Sequence, residues 1–216
     1  MISIPTIKRF PSYLRVLRHY RQLGYDWISA TKIAEELGLT AVQVRKDMAG
    51  TGVEGKPKIG FEIDPLIAAI MHNLNWDTQT DAILVGAGNL GLALARYEGF
   101  ASYGLRITAI FDSDESKCGK AVGDLLIMPI NNISSYIQAH EVRIAVLTVP
   151  AAQAQQVAEQ LVAYGIRAIW NFAPKDLKLS ENVIVQRSDL ATSFAVLSAK
   201  CRRMIDHGEN SPVDLL

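Results

Sequence analysis

Apolar residues in the first part of the chain fall at helical spacing. Leu14, Leu17 and Leu23 recur with Val16 and Tyr20, and Gly24 stands where such a helix would stop. Pro11 is placed to open it. Ser29 can cap a second helix, which carries Ile33, Ala34 and Leu37 and ends at Gly38. Thr40-Ala41-Val42-Gln43 has the capping-box form at the head of a third. Ser29 to Ala49 therefore reads as helix, short glycine-bearing turn, helix. In that pattern the second helix enters the DNA major groove. Gly50, Gly52, Gly55 and Gly60 then surround Lys56-Pro57-Lys58, and Phe61-Glu62-Ile63 alternates like a short strand. This predicts a wing, a β-hairpin beside the recognition helix. Leu66 to Leu74 reads as a short apolar helix, and Asn75 to Thr80 as a polar boundary.

From Asp81 the rhythm changes to strand, helix, strand. Ala82-Ile83-Leu84-Val85 is a buried-type strand, followed by a helix from Asn89 to about Gly99 and a strand from Leu105 to Phe111. Further strands fall at Arg143 to Val149, Ala168 to Trp170 and Val183 to Val185, with an alanine-rich helix over Ala151 to Tyr164. Such alternation predicts a parallel sheet covered on both faces. A last helix runs from about Leu190 to Ile205. The expected fold class is α/β: an N-terminal winged helix-turn-helix domain over residues 1–76 and a doubly wound Rossmann domain over 77–188. A C-terminal helix over 189–206 and a frayed tail over 207–216 follow.

The strongest chemical signal is Gly86-Ala87-Gly88-Asn89-Leu90-Gly91, a G-x-G-x-x-G that follows an apolar strand and opens a helix. Asp112 stands 21 residues past Gly91, at the end of the next strand. That context is the dinucleotide fingerprint. Gly86 allows the tight turn, Gly88 lets the backbone approach a pyrophosphate, and Gly91 lets helix pack on strand. Free N–H groups at the helix start face the phosphates. Asp112 would accept from the adenosine ribose hydroxyls and repel a 2′-phosphate, which favours NAD(H) over NADP(H). Val149-Pro150-Ala151 and Asn171-Phe172-Ala173-Pro174 end strands, where a parallel sheet opens its ligand crevice. Val149, Pro150, Asn171 and Phe172 are therefore candidates for the nicotinamide half, with plain turn chemistry as the alternative.

Charge sharpens the picture. The whole chain is neutral, but residues 1–64 carry ten Lys/Arg against seven Asp/Glu, a net +3, and residues 65–216 carry twelve against fifteen, a net −3. A basic head on an acidic body suits a head that meets DNA. Val44-Arg45-Lys46-Asp47 lies in the expected recognition helix, where adjacent cations can reach a phosphate and a guanine edge. The candidate DNA-contacting residues are Thr40, Gln43, Arg45 and Lys46 with Lys56 and Lys58 of the wing. A hydrophobic content of 49% with 20% charged residues is globular rather than disordered. No apolar run is long enough to span a bilayer, and the N-terminus lacks a signal-peptide core. Cys118 and Cys201 form no CxxC and read as reduced thiols, so the expected location is cytoplasmic. The four histidines are scattered, and no metal site is expected.

Two other readings compete. An NAD-dependent dehydrogenase with an accessory N-terminal module would need a proton donor or acceptor beside the nicotinamide and a substrate pocket. The Rossmann pattern ends near residue 205 with no second catalytic domain, and His140 and His207 fall on a helix end and a tail. A CoA-binding Rossmann domain also uses glycine turns, and Asp112 argues against it.

Taken in order, these segments resemble the Rex family of bacterial redox-sensing transcriptional repressors. They are Tyr13-Leu14-Arg15, Val44-Arg45-Lys46-Asp47, Gly60-Phe61, Val85 to Gly91, Phe111-Asp112, Val149-Pro150-Ala151 and Asn171-Phe172-Ala173-Pro174. The resemblance spans about residues 5–205. It implies a homodimer with a C-terminal helix swapped between subunits. It also implies repression when NADH is low and release from DNA when NADH binds, and a dimeric winged helix would read an inverted-repeat operator. By the same resemblance Arg15 and Tyr97 lie at the junction of the domains, and Leu190 and Phe194 lie near the start of a helix that meets the nicotinamide ring. The wing departs from the family's usual R-G-x-G-Y: Lys56-Pro57-Lys58-Ile59-Gly60-Phe61 keeps positive charge but not arginine's fork.

Overall fold

The computed structural model describes residues 2–207, and within them every side chain except those of Leu190, Asp206 and His207. The predicted tail beyond His207 and the Leu190 side chain lie outside the described residues. The chain forms two compact units. One is the chain up to Thr80 together with Gly99–Leu105, and the other is Asp81–Glu98 with the chain from Arg106 onward.

The first unit holds α1 (Ile4–Gln22), β1 (Trp27–Ile28), α2 (Ala30–Leu37), α3 (Ala41–Ala49), β2 (Phe61–Glu62) and α4 (Ile63–Asn73). Its core is Phe10, Tyr13, Leu17, Ile33, Val44, Met48, Ile63, Leu66 and Ile70. Pro11 does not open α1, as the pattern suggested, but lies inside it. The start is set by Ser3, whose Oγ accepts from the Thr6 N–H at 3.3 Å, with Pro5 in the first turn. An interior proline costs a helix about 3 kcal/mol. Burial of Phe10, Tyr13, Leu14 and Leu17 around it, each worth about 1.5–3 kcal/mol, outweighs that.

Ser29 caps α2 by accepting from the Lys32 N–H at 3.1 Å, and Gly38 ends it in the left-handed region at φ 64°. Thr40 caps α3 through the Gln43 N–H at 3.1 Å, but the expected capping box is only half formed. The Gln43 side chain turns the other way and donates to Asp47 at 2.9 Å. The wing also differs from the expected hairpin. β2 pairs antiparallel with β1, Trp27 opposite Glu62 and Ile28 opposite Phe61. The wing itself is a tight loop closed by one bridge between Lys56 and Gly60, with Lys58 at φ 65°. Gly60 sits at φ 113°, where a Cβ would collide with the Ile28 carbonyl, so only glycine closes this loop against β1.

The second unit carries a seven-stranded sheet in the order β5-β6-β4-β3-β7-β8-β9. Its strands are β3 (Thr80–Val85), β4 (Leu105–Asp112), β5 (Ala121–Val122), β6 (Leu125–Pro129), β7 (Ile144–Leu147), β8 (Ala168–Asn171) and β9 (Ile184–Arg187). The pairs β3–β7, β4–β6, β7–β8 and β8–β9 are parallel, whereas β5 joins β6 antiparallel at the edge. Helices α5 (Asn89–Ala95), α6 (Ile133–His140) and α7 (Ala151–Tyr164) connect the strands. The central strands are apolar on both sides: Ile83, Val85 and Leu147 join one core, Leu84, Ile110 and Val146 the other. That is the signature of a sheet covered on both faces.

Two expectations need correction here. The fingerprint helix does not run to Gly99 but ends after Ala95, and Glu98–Tyr103 is a 3-10 turn. Tyr97, expected late in that helix, therefore lies beyond it. The final helix α8 spans Leu190–His207. Phe194, Val196, Leu197 and Ile205 on it are all more than half exposed.

Candidate nucleotide crevice and nucleic-acid face

Where β3 and β7 end, the chain builds a cavity of about 700 Å³. Gly86, Gly88, Leu90, Asp112, Val149, Pro150 and Phe172 all line it. The three glycines do different work. Gly86 has φ 105°, and a Cβ there would lie 2.8 Å from the Thr148 carbonyl. A Cβ on Gly91 would collide with the Gly86 carbonyl and lie 2.8 Å from Thr148 Oγ1. A Cβ on Gly88 would meet nothing within 4 Å. Two glycines are thus demanded by the protein's own packing, and the third is bare toward open space. An absent Cβ that no protein atom requires is what close approach of a phosphate to the backbone would need. Thr148, which the sequence reading passed over, locks the turn: its hydroxyl is 2.7 Å from the Gly86 carbonyl.

Asp112 ends β4 and is 8% exposed. Its Oδ2 accepts from the Ala87 N–H at 2.6 Å and from the Lys117 ammonium at 3.1 Å, and its Oδ1 from the Asp114 N–H at 2.8 Å. Burial alone would raise this carboxyl. The Asp114 N–H, Lys117 and the Ala87 N–H outweigh burial and hold it below the usual carboxylate range. It is an anion fastened to the glycine turn, with acceptor capacity left on Oδ1. A ribose diol fits that residue, and the polar rim with an apolar wall of Val149, Pro150 and Phe172 fits a dinucleotide. Lys117 was also missed; its spacing from Asp112 carried no recognised signal.

The remaining cofactor candidates stand off the cavity wall. Ala87 spends its N–H on Asp112, and Gly91 packs under the turn. Asn89 opens α5 without lining the cavity. Asn171 is buried and braces its own loop, accepting from the Ala173 N–H at 3.0 Å and donating to the Lys175 carbonyl at 2.8 Å. Among the described residues no cluster of His, Cys, Asp or Glu could hold a metal.

On the first unit, Arg45, Lys56 and Lys58 line one groove of about 830 Å³ together with Ser29, Thr31 and Gly52 to Gly55. Lys56 Nζ sits 4.5 Å from the Trp27 ring centre, a cation–π contact that anchors the wing base. Lys46 is exposed on α3 outside that groove, while Thr40 and Gln43 are committed to the helix itself. Asp47, in the same segment as Arg45, faces inward. Arg9 grips it at 2.7 and 2.8 Å, and Tyr13, Thr6 and Gln43 add hydrogen bonds at 2.6, 2.9 and 2.9 Å. Burial would raise the Asp47 carboxyl; Arg9, Tyr13, Thr6 and Gln43 instead hold it at about 2. Burial, and after it the neighbouring Asp47 anion, push the Tyr13 hydroxyl above its ordinary range. Of the switch candidates, Arg15 is exposed on α1 and donates to Ser12 at 3.2 Å, and Tyr97 and Phe194 are exposed.

A helix-turn-helix head with a cationic face, carried on one chain with a nucleotide-type Rossmann unit, defines a ligand-responsive transcription regulator. Residues 1–49 match the family model "Putative DNA-binding protein N-terminus", and residues 77–175 match the model "CoA binding domain". The redox-sensing transcriptional repressor Rex of Treponema denticola is 42% identical over 90% of this chain and 93% of its own length. That of Chloroflexus aggregans is 41% identical over 85% and 86%. A crystal structure of RSP in complex with β-NAD+ and operator DNA superposes with a TM-score of 0.88 at 31% identity, covering 98% of this chain and 99% of that one. RSP in complex with β-NADH gives 0.85 at 30%, covering 97% and 99%. The chain belongs to the Rex family of redox-sensing transcriptional repressors.

Proposed function

We propose that this protein represses transcription as a homodimer bound to an inverted-repeat operator and lets go when NADH occupies the crevice. The observation that carries the reading is the pairing of bare Gly88 with Asp112, whose carboxylate is tied to the same turn through Ala87. The turn takes the pyrophosphate and Asp112 takes the adenosine ribose, excluding a 2′-phosphate by charge. Arg45, Lys46, Lys56 and Lys58 supply DNA contacts, with Thr40 and Gln43 holding the recognition helix in form. Residues 1–76 act as the DNA-binding domain and 77–188 as the cofactor domain. Helix α8 is an arm for the partner subunit, because its apolar residues Phe194, Leu197 and Ile205 are exposed within one chain.

A ligand shifts an equilibrium only through its difference in affinity for the two states. NAD+ and NADH are identical where the turn and Asp112 would hold them, so the difference arises at the nicotinamide. The reduced ring is neutral and enters the apolar wall of Val149, Pro150 and Phe172 at lower desolvation cost than the cationic one. Phe194 of the α8 arm is the exposed aromatic that would meet that ring, and Arg15 and Tyr97 are exposed residues that would respond to its closure. No helix among the described residues is long and apolar enough to cross a membrane, and both cysteines are free thiols. The cytoplasm, where DNA meets the nicotinamide pool, is the compartment that suits the function.

The test is fluorescence anisotropy on a selected operator at fixed total nicotinamide. DNA affinity falls as the NADH fraction rises, and CoA in place of NADH leaves it unchanged. NADH that binds the protein without moving DNA affinity overturns the sensor.

A further inference from the structure

Helix α3 exposes Val42, Arg45, Lys46 and Ala49, and buries Val44, Asp47 and Met48. The exposed set follows i, i+3, i+4, i+7 spacing, so it forms one face. Val42 is the second residue of the helix and is 70% exposed. A solitary exposed valine on a protein surface usually means nothing. This one occupies the N-terminal turn of the recognition helix, the part that reaches base edges in such motifs. The cations Arg45 and Lys46 stand one turn behind it on the same face. The rotation of the helix is pinned as well. Asp47 on its buried side is clasped by Arg9, Tyr13 and Thr6 of α1, so Val42 cannot roll inward. Its neighbour Gln43 directs its amide to Asp47, on the buried side of the helix.

A branched apolar side chain on a face that meets the major groove has one matching feature there. Among the base edges only thymine offers a methyl group. We propose that Val42 is a specificity-determining residue that packs on the C5-methyl of one thymine in each operator half-site. This rests on the DNA-binding reading above.

The test replaces each operator thymine in turn by deoxyuridine, which removes the methyl and keeps the pairing. The parent protein loses about fourfold in affinity at one thymine position per half-site, the worth of one buried methyl-sized group. Val42→Ala binds the thymine operator more weakly and is indifferent to the methyl at that position. It keeps the parent's thermal transition and NADH binding, because Val42 lies outside the core. A parent indifferent to every thymine methyl, or a Val42→Ala variant with undiminished sensitivity, overturns the proposal while leaving operator binding intact. A parent that binds no operator at all sinks the DNA-binding reading and this inference with it.

Discussion

Asp47 and Asp112 are both buried aspartates at the ends of sequence motifs, one in each unit, and they are used in opposite ways. Asp47 is 1% exposed and is held by four side chains of α1 and α3. Asp112 borders a cavity, takes two backbone N–H groups, and has one charged partner among the described residues, a lysine that is itself 35% exposed. The first carboxylate is closed: Tyr13 and Thr6 are buried with it, Arg9 is 28% exposed, and together they fix α3 against α1. The second is preorganised yet open: two backbone N–H groups fix its position, and its lysine partner is partly exposed beside the cavity. What separates the two is their surroundings: one carboxylate is enclosed by side chains, the other borders a cavity.

The comparison breaks most visibly at Asp47. Asp47→Ala strands the Arg9 guanidinium and the Tyr13 hydroxyl, and should cost the N-terminal unit about 3–5 kcal/mol. Urea unfolding followed by tryptophan fluorescence reads this loss, since Trp27 and Trp76 both lie in this unit. NADH binding to the other unit should stay as in the parent. Asp112→Ala should do the reverse, weakening NADH by about 1.5–3 kcal/mol through loss of charged hydrogen bonds and narrowing the gap between NADH and NADPH. Calorimetric titration checks it, and equal affinity of the parent for both nucleotides would remove Asp112 from the ribose.

Acid sharpens the contrast next. Asp47 is held at about 2 in the folded state against an ordinary 3.8, so its stabilisation is complete above the ordinary value. That stabilisation, about 2 kcal/mol, should drain away as pH falls from about 5 toward 2. Denaturant midpoints of the parent across that range should slope downward, and those of Asp47→Asn should slope less. The smallest effect belongs to Lys117→Ala. An exchangeable, partly exposed ion pair is worth about 0–1 kcal/mol, so NADH affinity should change by less than about fivefold. A much larger loss would make Lys117 a direct contact of the nucleotide.

Much of this was legible before the structure. Ser29, Gly38 and Thr40 announced their caps because capping chemistry is local. The glycine turn, Asp112 and α7 were legible because a strand, turn and helix in succession leave few alternatives. Three things were hidden for physical reasons. Pro11 obeyed burial of α1 rather than its own local preference. Strands β5 and β6 escaped because two or five residues at a sheet edge carry too little alternation to register. Asp47 hid inside a cationic motif, although the buried neighbours Val44 and Met48 already placed it on the inner face. The wing was legible as glycine-rich and basic, but its strand partner β1 lies before α2 and no local pattern could pair them.

The N-terminal unit is not complete where its last helix ends. Gly99–Leu105 belongs to it: Tyr103 lies 4.6 Å from the Trp76 ring, and the Thr80 N–H donates to the Gly104 carbonyl at 2.7 Å. On the ribosome these residues appear only after β3 and the glycine turn have been made. At about 5–20 residues per second, the head waits roughly one to five seconds for its closing segment. Synthesis therefore couples the two halves before any ligand does. A nascent chain stalled before residue 99 carries an N-terminal unit still missing a piece, whereas one that has reached residue 105 holds all of it.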